Sequence, residues 1–219
     1  MSQIAIDGPA GAGKSTAAKL AAEKLGFMYV DTGAMFRTIA LECMKCGVNV
    51  LNEEAVSKVC GVSEIQIKYI DRIQHMYIGA EDVSEEIRKE EAAKGASAVA
   101  KYAAVRTKLL QLQRALGSEY NVIMDGRDIG TCVLPDAQLK IFLTASPECR
   151  ARRRCGELAQ KGLECDFEKI KADIEKRDYD DSHREIAPLK QAEDAVLLDT
   201  SDMTIDEVVE EIVRLYKKQ

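Results

Sequence analysis

The stretch QIAIDGPAGAGKST, residues 3–16, decides how the rest of the sequence is interpreted. Its first five residues read as a short buried strand, and from Ser15 to Leu25 apolar residues recur at helical spacing. Between these two segments, the sequence from Gly8 to Ser15 matches the pattern G-x-x-x-x-G-K-[ST]. The glycines leave backbone N–H groups available to surround a polyphosphate at the N-terminus of a helix. The stretch therefore predicts that the chain binds a nucleoside triphosphate.

The residue types in this loop suggest how the nucleotide is held. Lys14 is expected to reach the β and γ phosphates, and the Ser15 hydroxyl is expected to ligate Mg²⁺. The alternative is a glycine-rich turn without a ligand, which the complete match and the flanking strand and helix disfavour. The predicted ATP-binding residues of the loop are Gly8, Pro9, Ala10, Gly11, Ala12, Gly13, Lys14, Ser15 and Thr16.

Strand-like and helix-like segments alternate along the chain, which predicts an α/β fold. Because the strand segments are short, apolar and separated by helices, they predict a five-stranded parallel sheet with helices on both faces. The predicted strands lie at residues 3–7, 27–30, 120–124, 139–143 and 195–199. The segments EIQIKYI and QHMYIG, joined by a turn at Asp71 to Ile73, predict an inserted β-hairpin.

Capping residues and glycines set the expected helix limits. Asn52 and Thr204 are predicted N-caps, the latter in a capping box with Glu207, and Pro147 suits the first position of a helix. Gly117 is expected near the end of the long helical stretch that begins at Glu85. Further helices are predicted at 15–25, 34–46 and 166–178, with a polar link at 159–164.

The composition excludes several classes of protein. The 219 residues are 46% hydrophobic and 31% charged, as in an ordinary folded domain. The 31 Lys and Arg against 37 Asp and Glu give a net charge of −6, which argues against a nucleic-acid partner. No apolar run approaches the ~18 to 20 residues that span a bilayer, and the N-terminus lacks the features of a signal peptide. We therefore expect a cytoplasmic protein without a membrane partner, and seven dispersed cysteines that stay free thiols.

Two segments that follow predicted strands carry groups suited to a phosphorylated ligand. In DTGAMFR, residues 31–37, Thr32 is the predicted N-cap and Arg37 lies one turn into the helix. In DGRDIG, residues 125–130, Arg127 can bind phosphate while the two aspartates bind a hydroxyl, an amine or hydrated Mg²⁺. The alternatives are structural: a capped helix with a solvated arginine, and a tight loop with local ion pairs.

Two charged clusters lie further along the chain. The arginines of the first are either a solvated basic face or part of a mobile lid that grips phosphate and excludes water. They are Arg150, Arg152, Arg153 and Arg154. In the second, Arg177, Asp181 and Arg184 are four and three residues apart, so a helix would place them on one face. That face is either a ladder of surface ion pairs or a site for ribose and phosphate.

Two weaker signals point to no additional chemistry. Cys43-x-x-Cys46 has the spacing of half a zinc site, but no second pair or nearby histidine completes it, so packing or free thiols are the better interpretation. His75 and His183 are isolated, which gives little support for a histidine base.

Taken in order, six segments resemble the bacterial cytidylate kinases, a branch of the nucleoside monophosphate kinases that share this phosphate-binding loop. They are GPAGAGKST, DTGAMFR, SEEIRKEE, AAVR at 103–106, DGRDIGT and EKRDYDDSHREIAPL. The resemblance covers nearly the whole chain. It is specific, because DGRDIGT and R-D-x-x-D-S-x-R-x-x-A-P-L are not general features of proteins with this loop.

The resemblance implies that the chain transfers phosphate from ATP to CMP or dCMP, with Mg²⁺, to give CDP or dCDP. It also implies a core at 1–61, 96–150 and 164–219, an acceptor-binding insertion at 62–95 and a lid at 151–163. It assigns the acceptor phosphate to Thr32, Arg37, Arg127 and Arg184, the cytosine edge to Ser97, Arg106 and Asp128, and the ribose to Arg177 and Asp181. The groups expected around the transferring phosphoryl group are Lys14, Arg127, Arg153 and Asp125, and those expected to contact ATP beyond the loop are Arg150 and Arg154.

Two departures from the family pattern and two rival functions remain. Phe36 stands where tyrosine is expected, and Ala104 stands where proline is common. The rivals are a kinase for UMP, AMP or another small acceptor, and a regulatory NTPase that uses the nucleotide as a switch. We expect a monomer.

Overall fold

The computed structural model describes residues 1–160 and 162–219. In chain order its elements are β1 (Gln3–Asp7), α1 (Lys14–Leu25), β2 (Met28–Asp31), α2 (Thr32–Lys45), α3 (Glu53–Val62), β3 (Ile65–Ile70), β4 (Ile73–Ile78), β5 (Glu81–Asp82), a 3₁₀ turn (Glu86–Arg88), α4 (Glu90–Val99), α5 (Ala103–Glu119), β6 (Val122–Gly126), a π-helical turn (Ile129–Val133), β7 (Leu139–Thr144), α6 (Pro147–Gln160), α7 (Phe167–Ser182), β8 (Val196–Asp199) and α8 (Ile205–Lys217). None of these helices is both long and apolar enough to cross a membrane.

The predicted α/β architecture is confirmed. Five parallel strands form a sheet in the order β2-β6-β1-β7-β8, and a separate antiparallel sheet has the order β3-β4-β5. In the parallel sheet, Ile4 of β1 pairs with Leu139 of β7, and Thr144 of β7 pairs with Asp199 of β8. The order shows that β1, which leads into the phosphate-binding loop, is the central strand.

The chain divides into two compact units. One contains Ser2–Phe27 and Ile123–Gln219, and its core is formed by apolar residues of β1, β6 and β7 together with α8. Helix α8 packs on α1 and begins with the predicted capping box, in which Thr204 and Glu207 bond reciprocally. This unit holds the phosphate-binding loop and the DGRDIG segment.

The other unit contains Met28–Val122 together with Met1. The predicted hairpin is confirmed as β3 and β4, whose two-residue turn has positive φ at Asp71 and Arg72. Helices α2 and α4 approach closely at Gly95, where an added Cβ would lie 2.9 Å from the Cβ of Ala40. The predicted boundaries of core, insertion and lid stay a prediction, and Lys161 of that lid lies outside the described residues.

Several predicted element ends were wrong by a few residues. Helix α5 continues through the buried Gly117 and ends at Glu119. Strand β6 starts at Val122 and includes Asp125 and Gly126, which were expected just beyond it. Helix α6 extends to Gln160, into the segment predicted as the start of a polar link.

The expectation that all seven cysteines are free thiols was wrong for two of them. Cys155 of α6 and Cys165, just before α7, form a disulfide with Cα atoms 5.3 Å apart. Helices α6 and α7 pack against each other, which brings the two residues together although ten positions separate them. The other five cysteines are free, and Cys43 is fully buried, in agreement with a packing role.

The disulfide predicts a specific thiol count. Alkylation of the denatured, unreduced protein should add five labels, and alkylation after reduction should add seven, as measured by intact mass. Replacing both Cys155 and Cys165 with serine should lower the free energy of unfolding by about 3 kcal/mol, because the bridge restricts the unfolded chain. Cys46→Ser, which changes an exposed free thiol, is the control and should leave stability unchanged. Seven labels without reduction would contradict the pairing.

Candidate phosphate-transfer site

The backbone of the phosphate-binding loop needs its glycines. A Cβ at Gly8 would lie 1.9 Å from the carbonyl oxygen of Leu143, so only glycine allows β1 to end this close to β7. Gly11 and Gly13 have φ of 74° and 91°, in the left-handed region that glycine favours. Gly13 is the N-cap of α1 and makes no side-chain cap bond, so the start of α1 meets the loop with its backbone N–H groups.

Lys14, the first residue of α1, is buried beside the phosphate-binding loop. Its side chain is 5% exposed, and its Nζ donates a hydrogen bond to the carbonyl oxygen of Pro9 at 2.7 Å. Burial, followed by the nearby charge of Arg127, lowers the pKa of Lys14 to about 7, while Asp125 and Asp7 act in the opposite direction. The ammonium therefore lacks enough negative charge around it, which suits a group that receives an anionic ligand.

Ser15 and Asp125 place two oxygen atoms that can ligate a metal ion beside the loop. The Ser15 hydroxyl donates to Oδ2 of Asp125 at 2.7 Å. Asp125 reaches this position because it lies in β6, beside the central strand β1. Hydroxyl and carboxylate oxygens are ligands that Mg²⁺ prefers, so the pair fits the metal that the sequence predicts.

The DGRDIG segment and the end of α7 are linked by two ion pairs. Nε of Arg127 donates to Oδ2 of Asp181 at 2.8 Å, and Nη2 of Arg184 lies 3.5 Å from Oδ1 of Asp128. The side chains of Arg184 and Asp128 are both more than nine-tenths buried. The structure thus brings four of the predicted acceptor-binding residues together within one unit.

The expectation that Arg177, Asp181 and Arg184 share one helix face was wrong for Arg184. Helix α7 ends at Ser182, and the backbone N–H of Leu189 bonds to the carbonyl oxygen of Asp181, which turns the chain after the helix. Arg184 therefore reaches Asp128 from an irregular segment. Arg177 is on α7 and is exposed.

The arginines of α6 differ sharply in their surroundings. Arg150 is 3% exposed and donates to the carbonyl oxygen of Ala10 at 3.0 Å and to both carboxylate oxygens of Asp178. Arg153 donates to the carbonyl oxygen of Thr200 at 2.6 Å. Arg154 instead makes an exposed ion pair with Glu157.

In this arrangement, Arg150 connects the phosphate-binding loop to α7, a structural contact that the sequence did not reveal. Arg153 likewise touches the loop, 3.4 Å from the carbonyl oxygen of Ala12. The sequence does not single out Asp178 as the partner of Arg150, because 28 positions separate the two residues.

In the other unit, the start of α2 is capped by Asp31 rather than by the predicted Thr32. Oδ1 of Asp31 accepts from the backbone N–H of Ala34 at 2.9 Å, and Thr32 is the first helical residue and is buried. An aspartate at the last position of a strand can serve as an N-cap, because its carboxylate accepts from the free N–H groups of the first helical turn.

Arg37 is held by an ion pair but keeps one hydrogen-bond donor without a partner. Its Nη2 donates to Oδ2 of Asp31 at 2.8 Å. Its Nε is buried and has no hydrogen-bond partner, and no other buried side-chain polar atom in the described part of the chain is left in this state. Gly33 makes room for the pair, since a Cβ there would lie 3.0 Å from Nη1 of Arg37. A buried unmade hydrogen bond of this kind is costly, so it points to a ligand.

The remaining predicted acceptor residues in this unit lie on helices. Ser97 is half-buried on α4. Arg106 of α5 donates to the carbonyl oxygen of Ala100 at 3.2 Å and lies 5.6 Å from the ring centre of Phe36. The departure from tyrosine at Phe36 therefore leaves a ring that stacks with a cation.

Gln74 is a residue of this region that sequence reasoning missed. Its Oε1 accepts from the backbone N–H of Asp31 at 2.8 Å, and its Nε2 donates to the carbonyl oxygen of the same residue at 3.1 Å. The inserted hairpin thereby fixes the backbone that positions Arg37. A polar residue in a strand carries no signal of such a contact.

Two solved structures with a similar fold are kinases. The chain is similar to shikimate kinase from Bacteroides thetaiotaomicron, with a TM-score of 0.52 and 13% identity over 99% of this chain and 98% of that one. It is also similar to a gluconokinase from Sinorhizobium meliloti 1021, with a TM-score of 0.50 and 14% identity over 99% of this chain and 92% of that one. Identities this low show a shared fold and leave the activity and the substrate open.

Sequence relatives identify the family. The family model for cytidylate kinase matches residues 4–218. A cytidylate kinase of Leuconostoc mesenteroides is 49% identical over 97% of this chain and 95% of its own length, and one of Shouchella clausii is 49% identical over 98% and 96%. A third, from Caldicellulosiruptor bescii, is 46% identical over 98% and 95%. Because this similarity extends over nearly the whole of both chains, the protein belongs to the cytidylate kinase family.

Proposed function

We propose that this protein is an ATP-dependent kinase that transfers the γ-phosphate of ATP to CMP or dCMP, giving CDP or dCDP. The family match over residues 4–218 is the observation that carries the proposal. The cluster around Lys14 supports it, because a buried cation with a lowered pKa beside a glycine-rich loop suits a polyphosphate.

On the donor side, the loop from Gly8 to Thr16 binds the ATP phosphates. Lys14 contacts the β and γ phosphates, and Arg153 lies beside the same loop and adds positive charge. Arg150 holds the loop through Ala10, and Arg154 contacts ATP from α6. The positive charges of Lys14, Arg153 and Arg154 offset the negative charge of the nucleotide.

Ser15 is the proposed Mg²⁺ ligand, with Asp125 next to the metal's water shell. When bound, the metal ion offsets charge on the β and γ phosphates. The hydrogen bond between Ser15 and Asp125 orients both oxygens before the nucleotide arrives. Histidine or cysteine ligands are not needed for a cation that prefers oxygen.

The acceptor phosphate is assigned to Thr32, Arg37, Arg127 and Arg184. The buried Nε of Arg37, which lacks a partner, is the strongest support for this assignment. Bidentate contact between a guanidinium and a phosphate is strong and directional, so arginine suits the task better than lysine.

The nucleoside of the acceptor is assigned by chemistry. Cytosine presents an exocyclic amine beside ring acceptors, which complements the carboxylate of Asp128, the hydroxyl of Ser97 and the guanidinium of Arg106. Uracil would present a carbonyl to Asp128, which leaves a buried acceptor unpaired. Arg177 and Asp181 are assigned to the ribose.

The transfer step needs little covalent chemistry from the protein. The CMP phosphate oxygen is already anionic at neutral pH, so a strong general base is unnecessary. Lys14, Arg127 and Arg153 neutralise the charge of the transferring phosphoryl group. Holding the two nucleotides in the correct orientation supplies the rest of the rate enhancement. The sequence-based expectations of a cytoplasmic monomer without nucleic-acid or membrane partners belong to the same proposal.

Comparing acceptors tests the function. We expect rapid ADP formation from ATP with CMP and dCMP, and slow formation with UMP and AMP, measured at equal acceptor concentrations. The Asp128→Ala variant should lose most of the preference for cytosine over uracil if the base lies against this carboxylate. Rapid turnover of AMP or UMP with negligible CMP activity would contradict the proposal. ATP hydrolysis unaffected by any acceptor would instead favour a regulatory NTPase.

A further inference from the structure

Asp7, the last residue of β1, lies outside the phosphate-binding motif and has no part in the proposed phosphate transfer, but its carboxylate is buried and hydrogen-bonded. Its carboxylate is 5% exposed. Oδ1 accepts from the backbone N–H of Ile129 and Oδ2 accepts from that of Gly130, both at 2.7 Å. These amides are the first two of the π-helical turn, where N–H groups have no partner within the turn itself. One side chain thus satisfies both donors.

The fit between Asp7 and this turn is close. A Cβ at Gly130 would lie 3.4 Å from Oδ2 of Asp7 and 3.2 Å from Cδ of Lys140. Glycine therefore allows the turn to approach the carboxylate on one side and β7 on the other. A Cβ at position 130 would crowd the side chain of Lys140 and would lie in van der Waals contact with the carboxylate of Asp7.

The position of Asp7 connects two parts of the site. Gly8, the first residue of the phosphate-binding loop, follows it directly, and Asp128 directly precedes the two amides that it holds. We propose that Asp7 is a positioning residue, which fixes the segment carrying Arg127 and Asp128 relative to the phosphate-binding loop. The proposal rests on the proposed function, because that function assigns Arg127 and Asp128 to the acceptor.

The charge state of Asp7 is consistent with this role. Burial, the largest cause, raises its pKa to about 6, and the charge of Asp128 adds to this rise, whereas the two backbone hydrogen bonds and the charge of Lys14 oppose it. The carboxylate is therefore mostly ionised at pH 7, and an ionised carboxylate can accept from both amides. Its burial is compensated by those two bonds.

The Asp7→Asn variant tests the proposal, because an amide keeps the shape but can accept from only one of the two N–H groups. We expect kcat/KM for CMP to fall about tenfold to a hundredfold, since hydrogen bonds to a charged group are lost. The KM for ATP should change less than about twofold, because the loop itself is intact. Hydrogen–deuterium exchange of the nucleotide-free protein should show faster exchange at residues 129–133. Asp206→Asn, which alters an exposed carboxylate in the first turn of α8, is the matched control and should change none of these values.

Asp7→Glu keeps the charge but lengthens the side chain, which displaces the carboxylate from the two amides; it should produce the same selective loss, which keeps the test valid if Asp7→Asn does not fold. Equal losses for ATP and CMP, or unchanged kinetic constants in both variants, would overturn the proposal. A failure of the proposed function looks different, since the wild-type protein would then not turn over CMP at all. The exchange measurement needs no substrate. Unchanged exchange at residues 129–133 in Asp7→Asn would independently overturn the proposal that Asp7 positions this segment.

Discussion

Replacing Lys14 with methionine is expected to lower kcat for phosphate transfer by about 10²- to 10³-fold. Methionine has a similar length and fills the buried space, but it cannot offset charge that develops on the transferring phosphoryl group. Arg127 is assigned to the same phosphoryl group, but it supplies only its own charge and does not make up for the loss of the lysine. Steady-state rates with saturating ATP and CMP measure the effect.

The lowered pKa of Lys14 adds a second expectation. With a pKa of about 7, the Lys14 side chain is mostly the neutral amine at pH 8 before nucleotide binds. Bound phosphates favour the charged form and raise the pKa, so ATP binding at pH 8 should take up a proton. Calorimetric titration in buffers of different ionisation enthalpy measures this uptake, which should disappear in Lys14→Met. Lys19→Met, on the exposed face of the same helix, is the control. Proton uptake by Lys14→Met equal to that of the wild type would contradict the assignment.

Replacing Arg37 with methionine is expected to lower kcat/KM for CMP by about 10²- to 10³-fold, because two or more charge-assisted hydrogen bonds to the acceptor phosphate are lost. Arg37→Lys should recover part of this loss, since it keeps the charge but lacks the planar group and the buried Nε. The KM for ATP should stay within about twofold of the wild-type value. Initial rates over a matrix of both nucleotide concentrations give the two values.

The control for Arg37 is Arg114→Met, which removes an exposed arginine from α5 in the same unit. It should leave both constants unchanged. An equal rise in KM for ATP and CMP in Arg37→Met would show that Arg37 acts through stability of the unit rather than through the acceptor phosphate.

Much of this protein could be predicted from local sequence. The alternation of short apolar segments with helical ones predicts the parallel sheet, because buried parallel strands need apolar residues on both faces. The spacing of Gly8, Gly13, Lys14 and Ser15 predicts the loop, because each residue acts within one turn of backbone. Capping at Asn52 and Thr204 was also correct, since it depends on bonds between residues three positions apart.

Other features could not be found in this way. The bond between Ser15 and Asp125 joins residues 110 positions apart, and the bonds of Asp7 to Ile129 and Gly130 span more than 120. The partner of Arg150 is also distant, and the end of α7 before Arg184 depends on a backbone bond from Leu189. Each of these contacts exists only after the strands have assembled.

The sequence by itself determined the fold class and the phosphate-binding loop, and it predicts a set of charged residues that handle nucleotides, because these follow from residue type and short spacing. The tertiary structure decided which of those charges are paired, which are buried, and that Arg37 keeps a buried donor without a partner. It also decided that Cys155 and Cys165 meet. The physical reason is that hydrogen bonds and desolvation depend on which distant segments are brought into contact, and residue spacing alone does not carry that information.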